Sequence, residues 1–170
     1  LYSSLNSKNE MSGGSAANTL AGIAALGGNA AFIGKVGNDD LGKTFARDIS
    51  KIGVTYQNSP ESNGSPTATS FVFVTPDAER TMQTYLGACV ELTPEDIDPK
   101  LLVESKVIYL EGYLWDPPDA KRALMKAAKV AANVGRKTAL SLSDPFCVKR
   151  HRQEFLDFIK QYVDIVFANE

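Results

Sequence analysis

The rest of this 170-residue chain is organised around the stretch Ser12-Gly13-Gly14-Ser15-Ala16-Ala17-Asn18-Thr19. Its two glycines permit a tight turn and leave room for a ligand beside the backbone. The residues that follow predict a helix whose buried stripe is Leu20, Ile23, Ala24 and Gly27. Ser12 and Ser15 are candidate N-caps, and the same residues could serve only as a turn and a cap. We expect Asn18 to face the open N-terminal end, where free backbone N–H groups suit a polar or anionic ligand.

Composition and charge exclude several classes of protein. Hydrophobic residues make up 44% of the chain, which is enough for a core, and the net charge of −2 favours neither nucleic acid nor a membrane surface as a partner. No apolar run has the length of a bilayer span. Cys89 and Cys147 are too far apart for a C-x-x-C pair, so we expect free thiols and a cytoplasmic location. His151 is the single histidine, which argues against a His-based triad and most zinc sites.

Strand-like and helix-like segments alternate along most of the chain. Buried strands are predicted at 30–33, 107–110, 138–142 and 164–168, and helices at 41–52, 117–134 and 152–161. This alternation predicts an α/β protein with a parallel sheet covered by helices. Two β-rich segments, 54–57 and 67–85, interrupt the pattern and predict a small sheet outside the main one. That sheet is either an edge hairpin or a lid that excludes water from a site.

Polar and aromatic residues follow three of the predicted strands. They are Glu111-Gly112-Tyr113, Ser143-Asp144-Pro145-Phe146 and Asn169-Glu170. Any one of these could be a solvated loop, but ligands of open parallel sheets bind beyond the carboxyl ends of the strands. Three such places beside a Gly-Gly helix end predict a site for a small polyhydroxylated or nucleoside ligand.

Three parts of the sequence resemble the PfkB (ribokinase-like) carbohydrate kinase family. Gly13 to Asn18, together with residues 32–42 (Phe-Ile-Gly-Lys-Val-Gly-Asn-Asp-Asp-Leu-Gly), is similar to the first signature of that family. Residues 164–170 resemble the start of its N-x-x-E motif, and Leu142-Ser143-Asp144-Pro145-Phe146 is more similar to adenosine kinases than to ribokinase. The resemblance implies a Rossmann-like three-layer αβα sheet with a small β lid. Residues 1–170 would form part of one such domain, with lid segments near 54–57 and 67–85.

The resemblance also implies a set of substrate-binding residues: Gly13, Gly14, Asn18, Leu86, Ala88, Glu111, Leu114, Trp115 and Phe146. Gly14 and Asn18 would contact sugar hydroxyls, and the Asn18 amide can both donate and accept. Glu111 matches a ribose-contacting glutamate of ribokinase, which adenosine kinases need not have.

A flat base would lie between the remaining residues of that set. Phe146 would stack on it, with Leu114 or Trp115 as the opposite wall, and the lid-side residues Leu86 and Ala88 would face it. Phe146 and Trp115 could equally be core residues. Asn169 would lie near the phosphates of ATP and magnesium.

Two family features are missing from the sequence. Neither the catalytic aspartate of the G-A-G-D motif nor the sugar-gripping aspartate of the first strand is present. We therefore expect no catalytic residue in this segment and interpret it as an internal part of a longer enzyme, because phosphoryl transfer needs a base and charge neutralisation.

The function implied by the resemblance is ATP-dependent phosphorylation of a sugar hydroxyl, most nearly that of a nucleoside such as adenosine, with ATP and Mg²⁺ as cofactors. No nucleic acid or membrane partner is expected, and an exposed lid edge could pair two copies. A free-sugar kinase of ribokinase or fructokinase type is the nearest alternative. A dinucleotide-binding oxidoreductase is weakened by the lack of G-x-G-x-x-G. A non-catalytic module that retains the fold is a further alternative.

Overall fold

The computed structural model describes residues 9–57 and 64–169. Within these ranges the α-helices are α1 (Ser15–Ala25), α2 (Asp40–Lys51), α3 (Pro99–Glu104), α4 (Pro118–Asn133) and α5 (Pro145–Tyr162). The strands are β1 (Ala30–Phe32), β2 (Val54–Tyr56), β3 (Thr69–Val74), β4 (Arg80–Tyr85), β5 (Val107–Glu111), β6 (Lys137–Ser141) and β7 (Ile165–Phe167). Short 3₁₀ helices at Gly87–Glu91, Pro94–Asp96 and Gly112–Trp115 connect them. The predicted α/β class is confirmed.

The first unit is built from α1, β1, α2 and β2. Strands β1 and β2 pair in parallel, with Ala30 opposite Val54 and Phe32 opposite Tyr56. Helix α1 contributes Ala17, Leu20 and Ala24 to a small core shared with α2 and both strands. The prediction for the buried face of α1 was partly wrong. Residues 17, 20 and 24 face the core, whereas Ile23 and Gly27 are exposed.

The prediction that 54–57 belongs to a lid was also wrong. Strand β2 follows α2 directly and hydrogen-bonds to β1 within the parallel unit, so it completes a β-α-β crossover. The physical reason is burial. Val54 is fully enclosed, and the Tyr56 ring packs against the rings of Phe45 and Phe32 at centroid distances of 5.7 Å each.

Strands β3 and β4 form a two-stranded antiparallel hairpin of their own. Its register runs from Thr69 opposite Tyr85 to Val74 opposite Arg80, within the segment predicted as β-rich. Most side chains on both of its faces are exposed, including large apolar ones: Phe71, Val72, Val74, Met82 and Tyr85. Among the described residues this hairpin hydrogen-bonds to neither parallel sheet, so it stands apart from them.

The second parallel sheet has the order β5-β6-β7. Ile108, Leu110 and Leu140 belong to the main core, and α4 packs against β5 and β6. The inner face of α4 consists of small and apolar residues, all buried: Ala120, Ala123, Leu124, Ala127, Ala128 and Ala131. The predicted helix at 117–134 is confirmed to within a residue at each end.

Helix α5 begins seven residues earlier than the predicted start at residue 152. Asp144 caps it by accepting a hydrogen bond from the Cys147 N–H at 2.7 Å, and Pro145 occupies the first turn. The helical geometry is interrupted at His151, where φ is −120° and ψ is 20°. Phe146 therefore lies in a helical turn and not in a loop.

Both cysteines are free, as predicted, with Cys147 buried and Cys89 partly buried. Across residues 9–57 and 64–169, no helix combines the length and hydropathy needed to cross a bilayer.

Candidate functional site

Glu111 links the carboxyl end of β5 to the start of α1. The Ser15 hydroxyl donates to Glu111 Oε2 at 2.5 Å, and the Tyr109 hydroxyl donates to Oε1 at 3.2 Å. The Ser15–Glu111 bond joins positions 96 residues apart in the chain. The Gly-Gly helix end and the end of β5 are thus neighbours, at one edge of the fold.

Among the described residues, the N-terminal end of α1 has no side-chain cap. Gly14 is the N-cap residue with a φ of 109°, which only glycine adopts readily, and it has no side chain to accept from the N–H groups of the first turn. The two serines predicted as caps have other partners, because Ser12 donates to Asp48 Oδ2 at 2.8 Å and Ser15 donates to Glu111. Asn18 is exposed near this end, and its backbone N–H donates to the Gly14 carbonyl at 2.8 Å. Gly13 has open space where a side chain would be.

The Gly112–Trp115 turn places its aromatic residues in two different environments. Tyr113 is 48% exposed, and its backbone N–H donates to Ser143 Oγ at 3.0 Å. Trp115 is only 2% exposed, and its ring packs 4.9 Å from the rings of both Phe155 and Phe158.

The structure therefore puts Trp115 in the core, which contradicts its expected role as a wall of a base site. Its indole N–H donates to Glu154 Oε2 at 2.9 Å, so the one polar atom of the ring is satisfied internally. Leu114 is partly buried against the same core. In this turn the ring exposed at the surface is that of Tyr113, which the sequence analysis did not include among the predicted substrate-binding residues.

Phe146 lies on the element next to Tyr113. It is 73% exposed in the first turn of α5. Two contacts hold this turn against the 112–115 turn: Tyr113 N–H to Ser143 Oγ, and Cys147 Sγ to the Gly112 carbonyl at 3.0 Å. Ser143 has a φ of 70°, which is uncommon for a residue other than glycine.

The two predicted lid-side residues, Leu86 and Ala88, differ in their exposure to solvent. Leu86 is exposed at the end of β4, whereas Ala88 is fully buried. The Ala88 N–H donates to the Pro66 carbonyl at 2.9 Å, at the base of the hairpin. Ala88 therefore offers no surface to a ligand in this structure.

A family model described as pfkB family carbohydrate kinase matches residues 6–170. The chain belongs to this family. Among its relatives, probable fructokinase-3 of Arabidopsis thaliana is 34% identical over 135 residues, which are 78% of this chain and 38% of that protein.

Solved structures of the family share the fold. Adenosine kinase from Sinorhizobium meliloti is 56% identical with a TM-score of 0.92, covering 99% of this chain and 52% of that one. Adenosine kinase from Schistosoma mansoni in complex with adenosine is 25% identical with a TM-score of 0.83, covering 95% and 48%. The predicted ribokinase-like fold is confirmed, and the chain spans about half of these structures and 38% of the fructokinase.

Burial and neighbouring carboxylates both act on the two tyrosine hydroxyls of this edge, Tyr109 and Tyr113. Burial raises the pKa of the Tyr113 hydroxyl, and the charges of Asp144 and Glu111 raise it further. Burial and the Glu111 charge likewise raise the pKa of Tyr109. Both tyrosines therefore stay protonated, and the carboxylate of Glu111 remains an acceptor that suits a hydroxyl-bearing ligand.

The Mg²⁺ cofactor that the family resemblance implies stays a prediction. No group of three His, Cys, Asp or Glu side chains is arranged to hold a metal ion within residues 9–57 and 64–169. Asn169 is exposed just after β7, and Glu170 lies outside the described residues.

Proposed function

We propose that the protein containing this chain phosphorylates a sugar hydroxyl of a nucleoside such as adenosine, with ATP as the phosphoryl donor. The observation that carries the proposal is the pair of exposed rings, Tyr113 and Phe146, on adjacent elements, with the charge of Glu111 near enough to act on the Tyr113 hydroxyl. A flat base stacks on aromatic rings, and the attached sugar needs hydrogen-bonding groups nearby. The 56% identity to an adenosine kinase supports the same substrate class.

The sugar would lie toward the start of α1. Gly13 and Gly14 leave the backbone accessible to a ligand, and the Asn18 amide can donate to one hydroxyl and accept from another. Glu111 already accepts from Ser15 and Tyr109, so this network would orient a further hydroxyl donor at a defined point. The role of these residues is to bind and align the acceptor oxygen for attack on the γ-phosphorus.

The β3–β4 hairpin is the proposed lid. Leu86 would close over the base from the end of β4, and closure would exclude water that competes with the sugar hydroxyl. Within residues 9–57 and 64–169 no third strand pairs with the hairpin, and two copies could associate along it as a homodimer. Residues 1–170 would thus supply the acceptor side and lid of one kinase domain.

Fewer residues of this chain are proposed to act on the phosphoryl donor, ATP. Asn169 would lie near the ATP phosphates, and the acceptor hydroxyl would lose its proton to a base that the sequence lacks, since it has no G-A-G-D motif. Both cysteines are free, which fits a reducing, cytoplasmic setting.

A free sugar such as fructose or ribose is the second candidate acceptor. Glu111 favours it, because a carboxylate recognises hydroxyls and contributes nothing to stacking on a base. The 34% identity to a probable fructokinase supports the same alternative.

The deciding experiment compares kcat/KM for adenosine, ribose and fructose in the full-length protein and in Phe146→Ala. For a nucleoside kinase, the substitution lowers kcat/KM for adenosine by about tenfold through lost stacking, and leaves residual ribose turnover unchanged. Leu156→Ala, which removes an exposed apolar side chain from the same helix, is the matched control. Equal losses on adenosine and ribose would contradict stacking, and a wild-type preference for fructose or ribose would establish the alternative.

A further inference from the structure

Asp116 connects the two elements that carry the exposed rings. It follows the 112–115 turn directly, and its carboxylate reaches across to α5. Arg150 donates to it twice, from Nε to Oδ1 at 3.0 Å and from Nη2 to Oδ2 at 2.6 Å. His151 Nε2 lies 2.5 Å from Oδ1. A two-point guanidinium–carboxylate contact fixes orientation as well as distance.

The interruption of α5 at His151 divides this helix into two parts. Beyond it, Phe155 and Phe158 are buried against Trp115, so the longer part is anchored in the core. Before it, residues 145–150 form a short turn that carries Phe146 on its exposed side. Because helical geometry is broken at the junction, the orientation of this turn depends on its own contacts.

The side-chain hydrogen bonds of this turn lead to the 112–115 turn and to Asp116, while Cys147 and Val148 also pack in the main core. Cys147 Sγ reaches the Gly112 carbonyl, and the guanidinium of Arg150 and the ring of His151 reach Asp116. The Asp116 contacts are at the end of the 145–150 segment, one helical turn beyond Phe146. Because Arg150 and His151 lie at the junction itself, their contacts with Asp116 fix the direction in which the segment leaves it.

We infer that Asp116 is a positioning residue: its carboxylate holds the 145–150 segment, and hence the Phe146 ring, in a fixed relation to the Tyr113 ring. This inference rests on the proposed function, because it assigns the base of a nucleoside to the space between these rings. Asp116 itself touches no ligand.

General stabilisation is a weaker explanation for the same contacts. The side chains of Asp116 and Arg150 are 46% and 50% exposed, and exposed ion pairs contribute little to folding. Asp119 and Arg122 form a comparable exposed pair three residues further along. That pair lies within α4 and connects no second element, so Asp119→Asn is a matched control.

The test uses full-length protein with Asp116→Asn, Asp116→Glu and the control Asp119→Asn. Amide hydrogen exchange is measured without ligand, and KM is measured for adenosine and for ATP. We expect Asp116→Asn to accelerate exchange in 145–150 but not in 152–162, and to raise KM for adenosine on the order of fivefold with KM for ATP unchanged. Asp116→Glu should restore part of the adenosine affinity, and Asp119→Asn should match wild type.

Three results would overturn the inference. Unchanged exchange in 145–150 would show that Asp116 does not hold the segment. Faster exchange with an unchanged KM for adenosine would show that the segment does not position the base. A parallel rise of both KM values with a lower melting temperature would indicate general destabilisation. A wild-type protein that turns over no nucleoside would refute the proposed function instead, and the exchange measurement would then decide whether Asp116 holds the segment.

Discussion

Thr67 donates two hydrogen bonds to the carboxylate of Asp39, from its backbone N–H to Oδ2 at 2.8 Å and from its hydroxyl to Oδ1 at 2.6 Å. The same carboxylate caps α2 by accepting from the Gly42 N–H at 2.8 Å. The Thr67 hydroxyl in turn accepts from the Gly37 N–H at 3.0 Å. Since Thr67 lies two residues before β3, these bonds tie the entry of the hairpin to the N-terminus of α2.

Asp39→Asn is expected to destabilise the protein and to flatten its stability profile in acid. Hydrogen bonds to a charged group contribute about 1.5–3 kcal/mol each, and an amide cannot accept all three of those that Asp39 accepts. The Thr67 hydroxyl is the main cause that lowers the pKa of Asp39 below its usual 3.8. This contribution is therefore present above the unfolded-state pKa and is lost as the pH falls through the lower folded-state value.

The measurement is urea unfolding of wild type and Asp39→Asn from about pH 6 to about pH 3. The difference in unfolding free energy should be largest near neutrality and shrink in acid. Asp40→Asn is the control, because its side chain is 99% exposed and pairs only with Lys43 among the ion pairs of the described residues. A difference that stays constant down to low pH would contradict the assignment to the Asp39 charge.

Asn18→Ala in the full-length protein should weaken acceptor binding while ATP affinity stays the same. Loss of a hydrogen bond to an enclosed hydroxyl costs about 1–3 kcal/mol, which calorimetric titration resolves. Asn29→Ala, exposed in the loop after α1, is the control. Acceptor affinity equal to that of wild type would remove Asn18 from the site.

Trp115→Phe and Tyr113→Ala should separate stability from binding. Trp115→Phe loses the indole bond to Glu154 and part of the packing on Phe155, so we expect about 1–3 kcal/mol of destabilisation with KM for the acceptor unchanged. Tyr113→Ala removes an exposed ring and should raise KM for a nucleoside with little change in melting temperature. A raised KM for Trp115→Phe with an unchanged KM for Tyr113→Ala would instead support Trp115 as a wall of the site.

Gly87→Ala should destabilise the base of the hairpin more than Gly53→Ala destabilises the end of α2. Both glycines have positive φ, 49° and 88°, which costs a residue with a side chain about 1–2 kcal/mol. Only at Gly87 would the added carbon also collide with the Pro66 carbonyl oxygen, since Gly53 faces open space. The difference between the two losses of unfolding free energy measures the cost of the collision with Pro66. Equal losses for Gly87→Ala and Gly53→Ala would show that the backbone at the base of the hairpin shifts to avoid the collision.

Local sequence patterns predicted where helices and strands occur better than they predicted which strands pair. Helix α4 was predictable because its alanines recur at helical spacing behind a proline suited to the first turn. The sequence Val54-Thr55-Tyr56 has strong β propensity, but propensity does not say which strand it pairs with, so β2 was misplaced in the lid. The earlier start of α5 did have a signal, since Asp144-Pro145 is an N-cap followed by a first-turn proline.

The proximity of the strand ends was predictable, whereas their role in binding a ligand stays a prediction. Topology brings the carboxyl ends of parallel strands to one edge of a sheet. The choice between Tyr113 and Trp115 depends on the 3₁₀ turn that contains both, and no pattern in the sequence shows which ring faces inward. The Ser15–Glu111 bond joins residues 96 positions apart, and only the folded chain reveals it.

The alanine face of α4 limits which substitutions homologues can carry on this helix. Side chains this small let the helix axis approach β5 and β6 closely, and none of the five alanines is more than 2% exposed. Overpacking forces backbone shifts, so a larger residue on this face would push the helix away from the strands. Homologues that carry valine or leucine in place of Ala123 or Ala127 should therefore show a compensating loss of volume elsewhere in the same core, which includes Leu110 and Leu140. Such substitutions would be inherited together more often than separately.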